Sequence, residues 1–313
     1  MNAFVASTDS KWFEFLSSQA DVDEVNFWMP KRWGGRFRVL RRGEPLLFKL
    51  KAPYNAIAGG GFFEHYTELP ISRAWDSFGT KNGAASLSEV RLSIAKLRRD
   101  DPLPWEDYVI GCILLVEPFF WPRDLWLPAP EDWRGTIVRG KTYDLQEPIG
   151  SRIWDEVLMR LQGREVGRQV AERPRLTVPG GYGEPVPVFH RIGQGTFRAL
   201  VTDAYGRQCA VTQERALPAL EAAHIRPFSA DQSHHVRNGL LLRSDVHRLF
   251  DSGYVTVTPE YRVEASARMR EDFNDGENYL RLHGSNILLP RDAEMHPDPE
   301  ALRWHNDNCF RGG

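Results

Sequence analysis

The stretch "LEAAHIRPFSADQSHHVRNGLLLRSDVHRLFDSGY", residues 220–254, decides how the rest of the chain is read. It divides into four elements. "ALEAAHI" is a short apolar run that ends on His224 and is stopped by Pro227, which predicts a strand. "SADQSHHVR" reads as a polar loop, and "NGLLL" predicts a second strand with Asn238 at its entrance. Ser244 has the chemistry of an N-cap, "DVHRLFD" is a short helix, and Gly253 stands where a C′ glycine belongs. The predicted order is strand, loop, strand, helix.

On that helix His247 and Asp251 are four residues apart, so both project from one face and can hold the same cation. If the hairpin packs against the helix, His224 comes to lie opposite them. A histidine held near a cation but not bound to it can take a proton from water. The cation stabilises a phosphate oxygen and the leaving alkoxide, which is single-metal phosphodiester hydrolysis. Asn238 is placed to orient that base or to brace the loop through its side-chain amide. One imidazole and one or two carboxylates suit Mg²⁺, Mn²⁺ or another divalent first-row ion. His234 and His235, the most conspicuous pair, read as solvated or phosphate-touching.

Taken together, "AAHIRP", "RNGLLL" and "SDVHRLFDSG" resemble the His-Asn-His (HNH) nuclease motif of the ββα-metal fold. The spacings are 14 from His224 to Asn238, 9 from Asn238 to His247 and 4 from His247 to Asp251, similar to those of colicin-type HNH nucleases. The resemblance implies His224 as general base, Asn238 as the orienting asparagine, and His247 with Asp251 as metal ligands. Many members of that family carry Asp or His immediately before the base, where this chain has Ala223. Glu221 shares strand parity with position 223 and is the candidate replacement. Arg226, Arg243 and Arg248 flank the motif as candidate phosphate contacts. Residues 151–250 contain 14 Arg and no Lys against 10 Asp and Glu, although the whole chain carries a net charge of -2. Arginine without lysine suits bidentate phosphate contacts, and a coding bias towards arginine explains it equally well.

Upstream of the motif, "GEPLLFKLKAP" and "AIAGGGFFEHYTEL" predict two strands, the second with a bulge or a close backbone approach at its three glycines. "SRAWDSF" and "SLSEVRLSIAKLRR" predict helices. "YVIGCILLVEPFFW", residues 108–121, predicts a buried strand ended by Pro118. Residues 161–190, rich in Pro and Gly, predict a linker, and "RIGQGTFRALVTDAYGRQCAVT" a helix followed by a short strand. At 313 residues the chain is long enough for two domains, expected over residues 1–160 and 191–313. Three distant cysteines offer neither a disulfide framework nor a zinc knuckle, so Cys209 is expected to serve packing. The absence of a long apolar run or a leader pattern predicts a cytoplasmic protein with no membrane partner.

The N-terminal part resembles, more weakly, the PUA-like superfamily that includes EVE, YTH and SRA domains. The features that carry this are "NFWMP", the "PLLFKLKAP" and "AIAGGGFF" strands, the helix pair and "GCILLVEPFFW". Such domains hold a flipped, modified base between aromatic rings, and flipping costs a few kcal/mol that stacking and edge hydrogen bonds must offset. The resemblance implies Trp28, Trp75 and Trp121 as pocket walls, with Asn82 or Asp76 reading the base edge.

The expected fold class is α+β: an N-terminal PUA-like β-barrel with helices and a C-terminal ββα-metal HNH domain. The expected function is a modification-dependent DNA endonuclease, acting on double-stranded DNA that carries a modified cytosine. One HNH site cuts one strand, so a double-strand break needs two protomers of a homodimer or two binding events. The rival readings are a nonspecific or differently targeted HNH nuclease and a non-catalytic DNA-binding protein.

Overall fold

The computed structural model describes residues 1–32, 37–98, 106–168, 193–227, 235–273 and 276–312. The chain divides into two compact units, Met1–Arg191 and Ile192–Gly313, each with its own core. Both units mix helices and strands, as expected of an α+β chain.

The N-terminal unit is built on one mixed sheet, in the order β2-β5-β4-β3-β1-β7, with the short β6 pairing to β4. The strands are β1 (Asn2–Thr8), β2 (Glu24–Met29), β3 (Pro45–Leu50), β4 (Ala56–Pro70), β5 (Val109–Phe120), β6 (Leu127–Pro128) and β7 (Gly140–Asp144). Only β1 and β3 run parallel. Strand alternation sorts the side chains into two cores. Phe4 and Ala6 of β1 join α1 (Ser10–Ser17), whose Trp12, Phe13 and Leu16 are buried, whereas Val5 joins Leu47, Trp121 and Val157 of α4 (Pro148–Arg168).

The barrel expected here is corrected to an open sheet. Among the described residues no ladder joins the edge strands β2 and β7. Two further expectations change. Strand β5 runs through Pro118 to Phe120, because Glu117 adopts φ +48° and the register shifts between Gly60 and Phe62. Proline is tolerated where such a bulge frees its position from the ladder. The glycines of β4 meet the expected close approach, since a Cβ on Gly59 would lie 2.2 Å from the Phe119 carbonyl oxygen. The predicted linker over 161–190 begins too early. Helix α4 continues to Arg168, and the remainder lies outside the described residues.

Helix α2 (Ile71–Phe78) leads through a 3-10 turn (Gly79–Asn82) to α3 (Leu87–Ala95). Ser86 caps α3, its hydroxyl accepting from Glu89 N, while the Glu89 carboxylate reaches back to accept from Ala85 N, one residue before the cap.

The C-terminal unit starts with α5 (Gln194–Ala204), and the short strand expected after it is instead a turn. A hairpin of β8 (Leu220–His224) and β9 (Gly239–Arg243) feeds directly into α6 (Ser244–Asp251). A second hairpin, β10 (Val255–Val257) with β11 (Val263–Ala265), turns through Pro259 and Glu260. Short helices α7 (Arg268–Phe273) and α8 (Glu277–Leu280) precede the final α9 (Pro299–Asn308). Among the described residues no helix is long and apolar enough to cross a membrane.

Candidate active site

The β8–β9 hairpin is antiparallel and places His224 opposite Gly239. Helix α5 lies flat on this end of the hairpin. The Phe197 ring stacks on the His224 imidazole with centroids 4.0 Å apart and planes at 10°. Gly239 makes this approach possible, because a Cβ there would stand 2.5 Å from Val201 Cγ2 and 3.0 Å from Phe197 Cζ. We therefore expect Gly239→Ala to cost about 1–3 kcal/mol of stability, as overpacking does, and to displace Phe197 from His224. Chemical denaturation and the His224 ring resonances would report the two effects.

Asn238 is buried, and its amide makes a two-point clamp on Arg226. Its Oδ1 accepts from Arg226 N at 2.8 Å, and its Nδ2 donates to the Arg226 carbonyl at 3.0 Å. The Asn238 carbonyl also accepts from Ile225 N at 2.9 Å. These contacts hold the backbone that follows His224.

Helix α6 follows β9 without a connecting loop. Ser244 is its first residue and not its N-cap, and the Ser244 hydroxyl donates across to the Ala219 carbonyl at 3.2 Å. Gly253 takes φ +76° just past the C-cap, as predicted. Val246 and Phe250 face the core, while His247 and Asp251 share the adjoining face. His247 Nδ1 lies 2.7 Å from Glu221 Oε2 and His247 Nε2 lies 3.4 Å from Asp251 Oδ2. Among the described residues no three His, Cys, Asp or Glu stand at metal-ligand spacing; Glu221, His247 and Asp251 are held as a chain bridged through the imidazole. Burial pushes the Asp251 carboxyl up; the nearby His247 opposes this and the Glu221 carboxylate adds to it. One imidazole between two carboxylates is a nitrogen and oxygen donor set that fits a hard or borderline divalent cation.

Position 223 explains its own departure from the family pattern. Ala223 is completely buried in the core that contains Val246 and Phe250, whereas Glu221 emerges two residues earlier to reach His247.

A residue outside the sequence prediction supports the end of α6. His305 of α9 is buried and stacks on Phe250 at 3.7 Å and 11°. Its Nε2 is 3.2 Å from the Phe250 carbonyl, which can only accept, so Nε2 carries the proton, and Nδ1 lies 2.8 Å from the Thr256 hydroxyl, which also contacts Asn306 Oδ1 at 2.5 Å. Phe250 directly precedes Asp251, so this contact anchors the backbone that carries it. Burial drops the His305 pKa from 6.5 to about 4. The unfolded chain then binds the extra proton between those values, so stability is full above the unfolded pKa and is lost as pH falls. Urea unfolding should show about 2 kcal/mol less stability at pH 5 than at pH 7 from this group, and His305→Asn should flatten that slope.

The flanking arginines separate into engaged and free. Arg243 makes a bidentate pair with Asp245, both contacts 2.7 Å, and holds that carboxyl down at about 2. Arg226 donates to the Glu300 carbonyl at 2.9 Å. Both arginines thus have structural partners in the unit. Arg248 is exposed and has no ion pair among the described residues. Cys209 is buried, its Sγ accepting from Thr212 N and Arg243 N, in keeping with a packing role. His235 caps the 3-10 turn before Asn238 through Nδ1, and His234 lies outside the described residues.

The aromatic pocket expected in the N-terminal unit is largely dismantled. Asn82 is buried with its amide fully used, donating to the Ala74 and Gly79 carbonyls and accepting from Asn26. Trp28 donates its indole N–H to the Asn82 carbonyl at 2.9 Å. Trp121 is buried in the core beside Phe119. Asp76 pairs with Arg73. Trp75 alone among the wall candidates is half-buried with no ring or hydrogen-bond contact among the described residues.

Residues 209–258 match the model of a family described as HNH endonuclease, a span that contains Glu221, His224, Asn238, His247 and Asp251. The C-terminal unit therefore carries an HNH endonuclease segment. No curated protein matches the chain significantly. Among solved structures, a modification dependent TagI restriction endonuclease is similar at 12% identity over 94% of this chain and 78% of that chain. The TM-score is 0.28, below what a shared fold requires.

Proposed function

We propose that the chain is a divalent-metal-dependent DNA endonuclease, with His224 as general base and Glu221, His247 and Asp251 as the cation-binding set. The observation that carries this reading is the meeting of Glu221, His247 and Asp251 on one side of α6 while His224 ends the hairpin strand packed beside it. A bound divalent cation supplies Lewis-acid stabilisation to the scissile phosphate and to the departing oxygen. The chain's own residues do the rest. His224 receives the proton of the attacking water at a ring nitrogen, with its plane set by Phe197. Asn238 fixes the strand end from which His224 projects. Arg248, exposed and without an ion pair among the described residues, is the proposed contact to a neighbouring phosphate.

We further propose that the N-terminal unit selects DNA carrying a modified cytosine, with Trp75, half-buried and without a ring partner among the described residues, as the stacking candidate. A separate unit with its own core and an aromatic-rich sequence support this reading. Digestion of matched unmodified, 5-methylcytosine and 5-hydroxymethylcytosine duplexes tests it. Preferential cutting of a modified duplex is expected, and equal cutting of all three would remove the selection while leaving the nuclease reading intact.

A further inference from the structure

We propose that Lys49, Asn55 and Arg123, with the rings of Tyr54, Trp126 and Trp133, form a binding site for the phosphodiester backbone of DNA on the N-terminal unit. The inference rests on reading the chain as a DNA enzyme, but none of these residues belongs to the HNH segment.

Lys49 projects from β3 and is 4% exposed. Its ammonium donates to Asn55 Oδ1 at 2.9 Å and lies 5.0 Å from the centroid of the Trp133 ring. No carboxylate pairs with it among the described residues. Asp132, the neighbour of Trp133 in sequence, is taken by Lys141 and Tyr143. An ammonium has three donors, and among the described residues one of them has a hydrogen-bond partner. A buried cation without a counter-charge is costly unless an anion joins it, and burial accordingly pulls the Lys49 pKa down.

Asn55, which accepts from the ammonium, is exposed at φ +45°. The Asn55 carbonyl accepts from Ala129 N at 3.1 Å, which ties this loop to the segment that carries Trp126. Tyr54 and Trp126 meet edge to face at 5.4 Å, and the exposed Arg123 guanidinium lies 5.6 Å and 6.0 Å from their two centroids. Arg123 also has no carboxylate partner among the described residues. Two cations without a carboxylate partner among the described residues, each set against aromatic rings, match a ligand that presents phosphates in series, as the DNA backbone does.

The test uses the full chain in EDTA, so that binding is read without cleavage. Binding of a 20-base-pair duplex is titrated across salt concentrations for wild type, Lys49→Met and Arg123→Gln. Each variant is expected to bind about tenfold more weakly and to lower the slope of log K against log salt by about one, the amount one lost phosphate contact removes. Lys49→Met keeps the length of the side chain without its charge, and the exposed Arg123→Gln guards against a folding defect in the first variant. Wild-type binding with unchanged affinity and slope in both variants overturns the proposal while sparing the nuclease reading; no wild-type binding at all overturns both. Inorganic phosphate forms the second arm: if it raises the melting temperature of wild type but not of Lys49→Met, and DNA affinity is unchanged in the variants, the site is one for free phosphate and the proposal fails.

Discussion

His224→Ala is expected to leave a folded protein that binds DNA and cuts it about 10²–10⁴-fold more slowly, the range that a positioned general base contributes. Replacing a half-buried imidazole at the end of β8 removes its stacking on Phe197, worth about 0.5–1.5 kcal/mol, which a unit with an extensive core can absorb. The loss should fall on kcat, because His224 is not among the residues proposed to hold the cation or the phosphate. His224→Gln is the sharper variant, since it retains a planar polar side chain but cannot take up a proton near neutral pH. Plasmid nicking with Mg²⁺, Mn²⁺, Ni²⁺ and Co²⁺ in turn measures the effect. Wild type that nicks no faster than either variant with any of the four would sink the assignment and return the chain to a DNA-binding role.

The parts of the site that were legible in the sequence are those with a local period. His247 and Asp251 share a helix face because they are four apart, and Glu221 was reachable because strand parity links it to position 223. The parts that were not legible depend on contacts distant in the chain. Nothing in the sequence marks Phe197 as the ring beneath His224 or His305 as the support for Phe250. Arg243 looked like a free cation because the carboxylate that takes it, Asp245, lies only two residues away, at a separation helical periodicity does not pair. In the N-terminal unit, composition identified aromatic residues but not which way they face. Trp121 is core, Trp28 is tied to Asn82, and Trp75 is half-buried with no ring stacked on it among the described residues. β1 escaped notice for a related reason. Its apolar residues are divided between two cores on opposite faces of the sheet, so no alternation with polar residues announces it.

Glu221→Gln is expected to lower both divalent-cation affinity and cleavage by more than the roughly 10–100-fold that losing an outer-shell partner costs. The variant keeps the shape and a hydrogen bond to His247 but removes one of the two negative charges at the site. Those charges oppose each other without a cation, and the Asp251 carboxyl is accordingly pushed up by burial and by Glu221. Metal-free Glu221→Gln should therefore be no less stable than wild type, whereas the stabilisation that added Mn²⁺ gives to wild type should be lost. The family pattern suggests a rescue, Ala223→Asp placed in the Glu221→Gln background. The structure argues that it fails. Ala223 is fully buried against the apolar core, so a carboxylate there would be trapped without a partner, at a cost of several kcal/mol. Calorimetric titration with Mn²⁺ and urea unfolding of the double variant separate the two views: restored metal binding would place the natural ligand position at 223, and a destabilised protein that still fails to bind metal would leave Glu221 as the residue that completes the shell.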